Sequence, residues 1–256
     1  MKVHLLLAPF FTFFLMRRYR VAIKGEELLK LKGAKLVLPD HPAQVDAQIL
    51  TTICINHWDL APVSSERFLK MPIVGAVMRS MNAIAVSDLT RGSRNANVLS
   101  DILVGAKHAF ENNRTLVIYP AGSIKMQAEE RIHNKKSVHA LLQDFPDHAS
   151  IIGVRITGLW GSMWSTAWKG RKPIFGLTLL KGIFYVFANL IFLVPKRDVT
   201  FEFVDITEKT KEAAKKERKE FNNYLEDFYN ANGLEEVSFV RHYFFLPLIK
   251  PKGSMS

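Results

Sequence analysis

The chain has 256 residues and a net charge of +11, so it is long enough for one large domain with its own core. Its single cysteine, Cys54, excludes an intrachain disulfide and fits a reducing compartment. The positive charge indicates a polyanionic partner, either nucleic acid or an anionic membrane surface. The basic residues flank apolar segments instead of forming one stripe with aromatic residues, which predicts a membrane surface and no nucleic acid.

The chain begins with an almost wholly apolar segment, residues 3–16, followed by Arg17 and Arg18. This segment is too short to span a bilayer easily. A signal peptide is disfavoured because basic residues, and no small-residue cleavage site, come after it. We therefore expect residues 1–20 to form a helix that anchors the protein at a membrane interface.

Strand-like and helix-like segments alternate after this anchor. Such alternation predicts an α/β fold with a mainly parallel, helix-covered sheet, in one domain over residues 21–245. A tail follows at 246–256, and its residues 250–256 are expected to be disordered. The predicted strands are Ala34–Leu38, Asn82–Val86, Thr115–Tyr119, Ser150–Ile156 and Val199–Val204. The predicted helices, with apolar residues at helical spacing, are Ala96–Glu111, Lys136–Asp144 and Lys209–Asn230.

A second apolar segment, residues 174–194, lies between Pro173 and Pro195. Its length permits a membrane span, but Lys181 lies within it, and export of everything after it would split the domain. The segment predicts a membrane-dipping hairpin or helix. A buried core helix is the alternative.

His41 and Asp46 are the residues with the clearest chemistry. His41 comes directly after a predicted strand, and Pro42 suits the first turn of a helix. If such a turn begins there, the Asp46 carboxylate folds back onto the His41 ring. It would then fix the tautomer and support the charge once the ring has taken a proton. The pair predicts activation of a hydroxyl group without a serine or cysteine nucleophile.

Three further blocks follow the histidine in order: Asn82–Ser93, Val117–Ser123 and Ile151–Arg155. Together with His41 and Asp46, their order and spacing resemble the glycerolipid (PlsC-type) acyltransferase family, over about residues 18–240. Two later segments resemble the branch of that family often fused to acyl-activating or acyl-carrier-protein ligase modules. They are Gly158–Ser162 and Phe221–Asn230.

The resemblance implies an O-acyltransferase that moves a fatty acyl group from acyl-CoA or acyl-carrier protein to the hydroxyl of a lysophospholipid or lysophosphatidic acid. His41 would be the general base, oriented by Asp46, in phospholipid synthesis or remodelling. The implied partners are membrane lipids and an acyl-activating ligase, with no metal or cofactor. The implied location is the cytoplasmic face of the membrane, as a peripheral or monotopic protein. A non-catalytic lipid- or carrier-binding module of the same fold is the alternative.

The resemblance also assigns the acceptor-binding residues. Arg91 matches the arginine of the second block and is expected to bind a phosphate of the acceptor, because a guanidinium can bind phosphate with two hydrogen bonds. Gly92 and Ser93 would approach the same anion. Backbone N–H groups around Gly122 and Ser123 would bind the oxyanion of the tetrahedral intermediate.

The third block departs from the family pattern FPEGT. Ala121 stands in place of the glutamate, and Ile124 stands where a basic residue often follows, with Lys125 next. The family binds its acceptor through this block, so the departure leaves the acceptor open. Ser123 or Lys125 is the expected substitute. In the first block, Asp40 stands where asparagine is usual.

Other residues have weaker interpretations. A metal site through His57 and Asp59 lacks the ligand spacing that would support it. Arg155, in an apolar strand, is either an ion-pair partner or a second anion-binding residue. Three tryptophans at intervals of four would share one helix face, for packing, for an interfacial belt or for an acyl-chain groove. They are Trp160, Trp164 and Trp168.

Overall fold

The structure is a computed structural model that describes residues 3–87, 98–188 and 195–240. The strands in these ranges are β1 (Tyr19–Lys24), β2 (Lys35–Pro39), β3 (Leu60–Ser65), β4 (Ile84–Val86), β5 (Thr115–Val117), β6 (Ser150–Thr157) and β7 (Arg197–Asp205). The helices are α1 (Val3–Arg18), α2 (Asp46–Cys54), α3 (Glu66–Leu69), α4 (Pro72–Ser80), α5 (Val98–Glu111), α6 (Ser137–Leu142), α7 (Phe175–Ala188), α8 (Thr207–Ala214) and α9 (Arg218–Asn230).

The strands form one sheet in the order β1-β7-β6-β2-β5-β3-β4. Every neighbouring pair is parallel except β6 and β7, which are antiparallel. The prediction of an α/β fold with a mainly parallel sheet is confirmed. In a parallel sheet the carboxyl ends of the strands meet at one edge, so the segments that follow β2, β4 and β5 leave from the same edge.

Two hydrophobic cores lie on opposite faces of this sheet because successive side chains of a strand point to opposite sides. In β2, Val37 belongs to the first core, whereas Leu36 and Leu38 belong to the second. Helices α1, α2, α3, α4 and α7 contribute to the first core, and α5, α6, α8 and α9 to the second. Gly153 in β6 allows α9 to approach closely, since a Cβ there would lie 2.6 Å from the Phe228 ring.

Most predicted elements are confirmed within a few residues, apart from positions 96 and 97 and the tail, which lie outside the described residues. Strands β1 and β3 were not predicted. The single helix predicted over Lys209–Asn230 is wrong, because the chain forms α8 and α9 with a turn between them. Glu217 has extended backbone angles at the start of α9, so the charged block Lys215–Glu220 is not one continuous helix face.

The helix considered for the three tryptophans is also wrong. Residues 158–165 form turns, followed by a short 3-10 turn at Thr166–Trp168. Gly158 and Gly161 each have φ of 92°, a left-handed conformation that does not continue a helix. Trp160 and Trp164 are buried and serve packing.

Helices α1 and α7 expose many apolar side chains. The most exposed of these include Leu6, Phe10, Leu180, Phe184 and Phe187. Both helices also contact the first core, so they lie on the same side of the sheet. The alternative of a buried core helix is therefore wrong for α7. Among the described helices, none combines the length and the apolar character that crossing a membrane would need.

Candidate active site

His41 and Asp46 form a direct contact at the carboxyl end of β2. The Nδ1 atom of His41 lies 2.9 Å from one carboxylate oxygen of Asp46 and 3.0 Å from the other. Helix α2 begins at Asp46, and residues 42–45 form the turn that brings the aspartate back to the histidine. The N–H of Ala43 also donates to Asp46, at 3.1 Å, which satisfies a backbone donor of this turn.

The two side chains differ in exposure. The Asp46 side chain is fully buried, whereas 18% of the His41 side chain remains exposed. Since Nδ1 is bound to Asp46, the Nε2 atom is the ring nitrogen left to meet a substrate. Across the described part of the chain, Nε2 has no hydrogen-bond partner. This arrangement can accept a proton from a hydroxyl group placed at the open side of the ring.

The third sequence block wraps around His41. The Tyr119 ring lies on the His41 ring, with 4.2 Å between centroids, and the N–H of Lys125 donates to the His41 carbonyl at 2.8 Å. Burial raises the pKa of Tyr119 well above its usual range, and the charge of Asp46 adds to this effect. The phenol is therefore neutral. Tyr119 packs against the histidine and does not act as a base.

The turn between Tyr119 and Lys125 carries the predicted oxyanion donors. Gly122 has φ of 65°, and its N–H donates to the Tyr119 carbonyl at 2.9 Å, so this donor is used within the turn. The N–H of Ser123 has no hydrogen bond to any described residue. Of the two predicted donors, only Ser123 is thus available to a substrate oxyanion.

Lys125 is buried in an ion pair. Its ammonium lies 2.7 Å from a Glu235 carboxylate oxygen and 5.2 Å from the centroid of the Trp160 ring. The other Glu235 oxygen accepts the N–H groups of Gly158, at 2.7 Å, and Trp160, at 3.3 Å. Lys125 therefore ties the third block to the segment after β6. This position conflicts with the phosphate-binding role predicted for it, because its charge is already paired and buried.

Two buried carboxylates flank His41. Asp40 accepts the N–H of Ile156 at 2.8 Å, and burial raises the pKa of Asp40 well above its usual range. Glu130 accepts the N–H of His41 at 3.0 Å, and burial raises the pKa of Glu130 to about 7. Asp40, which stands where the family usually has asparagine, thus links β2 to β6. Sequence reasoning missed Glu130, which belongs to no periodic segment or motif.

Lys135 is a second residue that sequence reasoning missed. Its side chain is exposed, and its ammonium lies 3.9 Å from where a Cβ on Gly122 would stand. Lys135 forms no ion pair with a described residue. An exposed, unpaired ammonium beside the Gly122–Ser123 turn suits an anionic substrate group. The only sequence signal was the pair Lys135-Lys136 before a helix.

The remaining predicted residues have mixed outcomes. Arg91, Gly92 and Ser93 lie outside the described residues, in the segment that follows β4, so their assigned role stays a prediction. Arg155 forms an ion pair with Glu202 of β7, at 3.0 Å, which resolves its role as an ion-pair partner.

The alternative metal site finds no support in its geometry. Asp59 pairs with Arg114 at 2.9 Å, and no cluster of three or more His, Cys, Asp or Glu residues suited to a metal occurs within the described ranges.

Comparison with known proteins identifies the family. A family model described as acyltransferase matches residues 20–157, more than half of the chain. The chain belongs to the acyltransferase family. The matched region runs from β1 to the end of β6 and includes the His41–Asp46 pair and the Tyr119–Lys125 turn. The prediction of an acyltransferase is thereby confirmed.

One solved structure similar to this acyltransferase is the 1-acyl-sn-glycerophosphate (LPA) acyltransferase PlsC from Thermotoga maritima. The TM-score is 0.52 at 16% sequence identity, over 84% of this chain and 70% of that chain. This likeness extends the shared fold beyond the family match and confirms the predicted PlsC-type architecture. Among curated proteins, none matches the chain significantly. The assignment to a ligase-fused branch stays a prediction.

Proposed function

We propose that this acyltransferase moves a fatty acyl group from a thioester of CoA or acyl-carrier protein to the hydroxyl of a lysophospholipid or lysophosphatidic acid. The reaction would serve phospholipid synthesis or remodelling. The observation that carries the proposal is the His41–Asp46 contact, with a buried carboxylate on Nδ1 and a partly exposed ring. No serine or cysteine nucleophile and no cofactor enters the proposed mechanism.

The chemistry follows from the two ring nitrogens of His41. Nε2 takes the proton of the acceptor hydroxyl while the hydroxyl oxygen attacks the thioester carbonyl carbon. Asp46 stabilises the imidazolium that forms. When the tetrahedral intermediate collapses, the carbon–sulfur bond breaks and the imidazolium returns its proton to the leaving thiolate. General-base help of this kind is worth about 10²–10⁴ in rate. The N–H of Ser123 is the proposed oxyanion donor.

A membrane-borne acceptor is supported by the position of α7. Pro173, just before this helix, accepts a hydrogen bond from the side chain of Gln44 at 2.9 Å, and Gln44 lies between His41 and Asp46 in the chain. The exposed apolar face of α7 thus starts next to the catalytic turn. Helix α1 exposes apolar residues on the same side of the sheet. Both faces suit insertion into the headgroup region of a bilayer, which would bring a lysolipid hydroxyl to His41.

The charged headgroup of the acceptor would bind to Lys135, which is exposed, and to Arg91. Lys135 stands beside the Gly122–Ser123 turn, and Arg91 follows β4. We exclude Lys125 from this set because it is paired with Glu235.

An apolar cavity beside the site is proposed to receive the acyl chain. A space of about 60 Å³ lies next to Tyr119, and its other lining residues include Val37, Leu50, Cys54 and Met78. This cavity borders Tyr119, whose ring lies on His41, and residues of the first core form much of its wall. It would receive the carbon atoms next to the thioester, and a long acyl chain would require the cavity to widen.

We also propose that the protein lies on the cytoplasmic face of a membrane, as a peripheral or monotopic protein. Basic residues beside both apolar helices, among them Arg17, Arg171 and Lys172, support contact with anionic headgroups. The single cysteine, which is buried, fits a reducing compartment. The proposed acyl-activating ligase partner is supported by the sequence resemblance of residues 158–162 and 221–230 alone.

The decisive experiment measures acyl transfer from radiolabelled acyl-CoA and acyl-carrier protein to a panel of lysophospholipids, lysophosphatidic acid and glycolipids. Wild type is compared with His41→Ala and with His57→Ala, an exposed histidine of the same chain that serves as the matched control. We expect transfer by wild type and His57→Ala, and none by His41→Ala. If no variant transfers an acyl group while all still bind lipid or carrier, the protein is a binding module.

A further inference from the structure

The backbone of His41 is held by a carboxylate from a distant part of the chain. Glu130 accepts the His41 N–H at 3.0 Å, and only 2% of Glu130 is exposed. Its second oxygen, Oε1, is buried with no hydrogen-bond partner among the described residues. Burying a carboxylate is costly, and leaving one oxygen unpaired adds to the cost. The burial of Glu130 therefore reduces the stability of the fold, which suggests a role other than stability for this residue.

Helix α9 fixes the segment that carries Glu130. The side chain of Asn230 accepts the Glu130 N–H at 2.9 Å and donates to the Glu130 carbonyl at 3.0 Å. One helical turn earlier, Glu226 accepts the N–H groups of Ile132, at 2.6 Å, and His133, at 3.0 Å.

A third side chain of α9 continues this row. Asn222 donates to the carbonyls of His133 and Lys135, at 2.8 Å and 3.0 Å. The positions of Asn222, Glu226 and Asn230 are four residues apart, so the three side chains lie on one face of α9. Side chains of α9 therefore hydrogen-bond to the backbone of residues 130, 132, 133 and 135. These bonds fix the position of the Glu130 carboxylate.

The groups around Glu130 act on its charge in opposite directions. His41 and Lys125 favour the carboxylate, whereas burial and the charge of Asp46 disfavour it. Asp40 and Tyr229 belong to the same buried cluster, since the charge of Glu130 acts on both. The Tyr229 hydroxyl donates to the Leu38 carbonyl at the end of β2, so α9 also contacts the strand that leads to His41.

We propose that Glu130, held in place by Asn230 of α9, is a positioning residue that fixes His41 for proton transfer. The inference rests on the proposed function, because it assigns Glu130 a role only if His41 is the base. Glu130 does not touch the substrate. It holds the His41 N–H, while Asp46 holds the ring and Tyr119 covers one ring face. Without this hydrogen bond the imidazole would shift, and Nε2 would no longer be aligned with the acceptor hydroxyl.

The test compares Glu130→Ala, Glu130→Gln and Asn230→Ala with Glu129→Ala. Glu129 is the neighbouring acid, and its side chain is 33% exposed and pairs with Arg131. Steady-state kinetics separate kcat from the KM values for donor and acceptor. We expect Glu130→Ala to lower kcat on the order of 10–100-fold with little change in either KM, because small misplacements of reacting groups are costly. Glu130→Gln should keep most activity, because its amide oxygen can accept the same N–H. Asn230→Ala should resemble Glu130→Ala in direction, and Glu129→Ala should equal wild type.

Several results would overturn the inference. Unchanged kcat in Glu130→Ala would show that the hydrogen bond does not position His41. A raised acceptor KM at unchanged kcat would show contact with the substrate instead. If Glu130→Ala fails to fold, the other two variants decide. A large loss of kcat in Glu130→Gln would point to a role for the carboxylate charge, and an unchanged kcat in Asn230→Ala would show that α9 does not set the position of Glu130. A wild type inactive with every donor and acceptor would overturn the proposed function as well.

Discussion

The ring of Tyr119 lies on the ring of His41, with 4.2 Å between centroids and 36° between ring planes. The contact covers one side of the imidazole, and 18% of the His41 side chain remains exposed. It also places the third sequence block, in which the glutamate of the family is replaced by Ala121, directly against the first.

Two replacements of Tyr119 should separate the contribution of its ring to kcat from the contribution of its hydroxyl. The hydroxyl makes no hydrogen bond of good geometry to the described residues, although it lies close enough to Asp46 for that carboxylate to raise the pKa of Tyr119. Tyr119→Phe should therefore retain most of the wild-type kcat. Tyr119→Ala removes the packing surface and should lower kcat by roughly tenfold. Acyl-transfer kinetics of the two variants check this. A Tyr119→Phe variant as poor as Tyr119→Ala would instead give the hydroxyl a role in catalysis.

The buried pair of Lys125 and Glu235 should behave as a structural link. Lys125→Met removes the ion-pair partner of Glu235, whose side chain is 13% exposed, and should cost about 3 kcal/mol in the free energy of unfolding. The double variant Lys125→Met/Glu235→Gln should lose less than the sum of the single changes. Denaturant unfolding of all three measures this.

A surface pair provides the control. Arg20 and Asp198 are 2.9 Å apart with both side chains largely exposed, so Asp198→Asn should cost less than about 1 kcal/mol. If Lys125→Met were as stable as wild type but had a raised KM for phosphorylated acceptors, Lys125 would be the headgroup-binding residue after all.

Lys135 should contribute to binding of the acceptor headgroup. Lys135→Ala should raise the KM for a phosphate-bearing acceptor by about tenfold, the effect of losing one charge-assisted hydrogen bond. The effect should shrink at high salt, because exposed charges are screened. Lys136→Ala, which removes the adjacent exposed lysine, is the matched control. Equal effects of both changes would indicate general attraction by positive charge and no specific contact.

The raised pKa of Glu130 predicts a pH dependence of stability. Burial raises this pKa from 4.5 to about 7, so between these values the folded protein binds more protons than the unfolded chain. Stability contributed by this site therefore falls as pH rises through that window. Glu130→Gln lacks the titration. The difference in Tm, variant minus wild type, should grow from pH 4.5 to 7 and then level off. A constant difference would contradict the assigned pKa.

The exposed face of α7 should drive membrane binding. Leu180, Phe184 and Phe187 lie on one side of the helix, and replacing all three by serine should weaken vesicle binding at least tenfold, given about 1.5–3 kcal/mol for each buried side chain. Deletion of residues 1–16 should weaken binding more than it alters the fold. Sedimentation with phosphatidylcholine vesicles, with and without phosphatidylglycerol, measures both.

Val104→Ser, on α5 at the opposite face of the sheet, is the control for this experiment, because Val104 is 66% exposed. Sedimentation of the α7 variant and the deletion at the wild-type level would remove the support for membrane contact through these helices.

Sequence patterns predicted those parts of the fold that depend on local periodicity. Helix α5 has a clear apolar face, and β6 is mostly apolar, with Arg155 as its one charged residue. Strand β3 lacks such a signal because Pro62, Ser64 and Ser65 have low strand propensity, and it exists because β5 and β4 flank it. Strand β1 alternates, but it directly follows the apolar segment of α1, and its first two residues, Tyr19 and Arg20, were assigned to the anchor.

The candidate site divides in the same way. The five-residue spacing of His41 and Asp46 is local, so sequence reasoning placed the two in contact. Glu130 reaches His41 only because α9, whose Asn230 lies 100 residues further along the chain, holds it there. The burial of Lys125 depends on Glu235, which is equally remote. No pattern within a single segment contains either relationship.

The pairing of the first strand with the last has a consequence for synthesis. The described partner of β1 is β7, and the paired residues Arg20 and Asp198 are 178 positions apart. On the ribosome, β1 must therefore wait until almost the whole domain has emerged, since contacts this distant form late. In the proposed membrane-bound state, the apolar residues of α1 would meet the bilayer during this interval. Folding of the sheet edge would then be completed by a chain already held at its amino end.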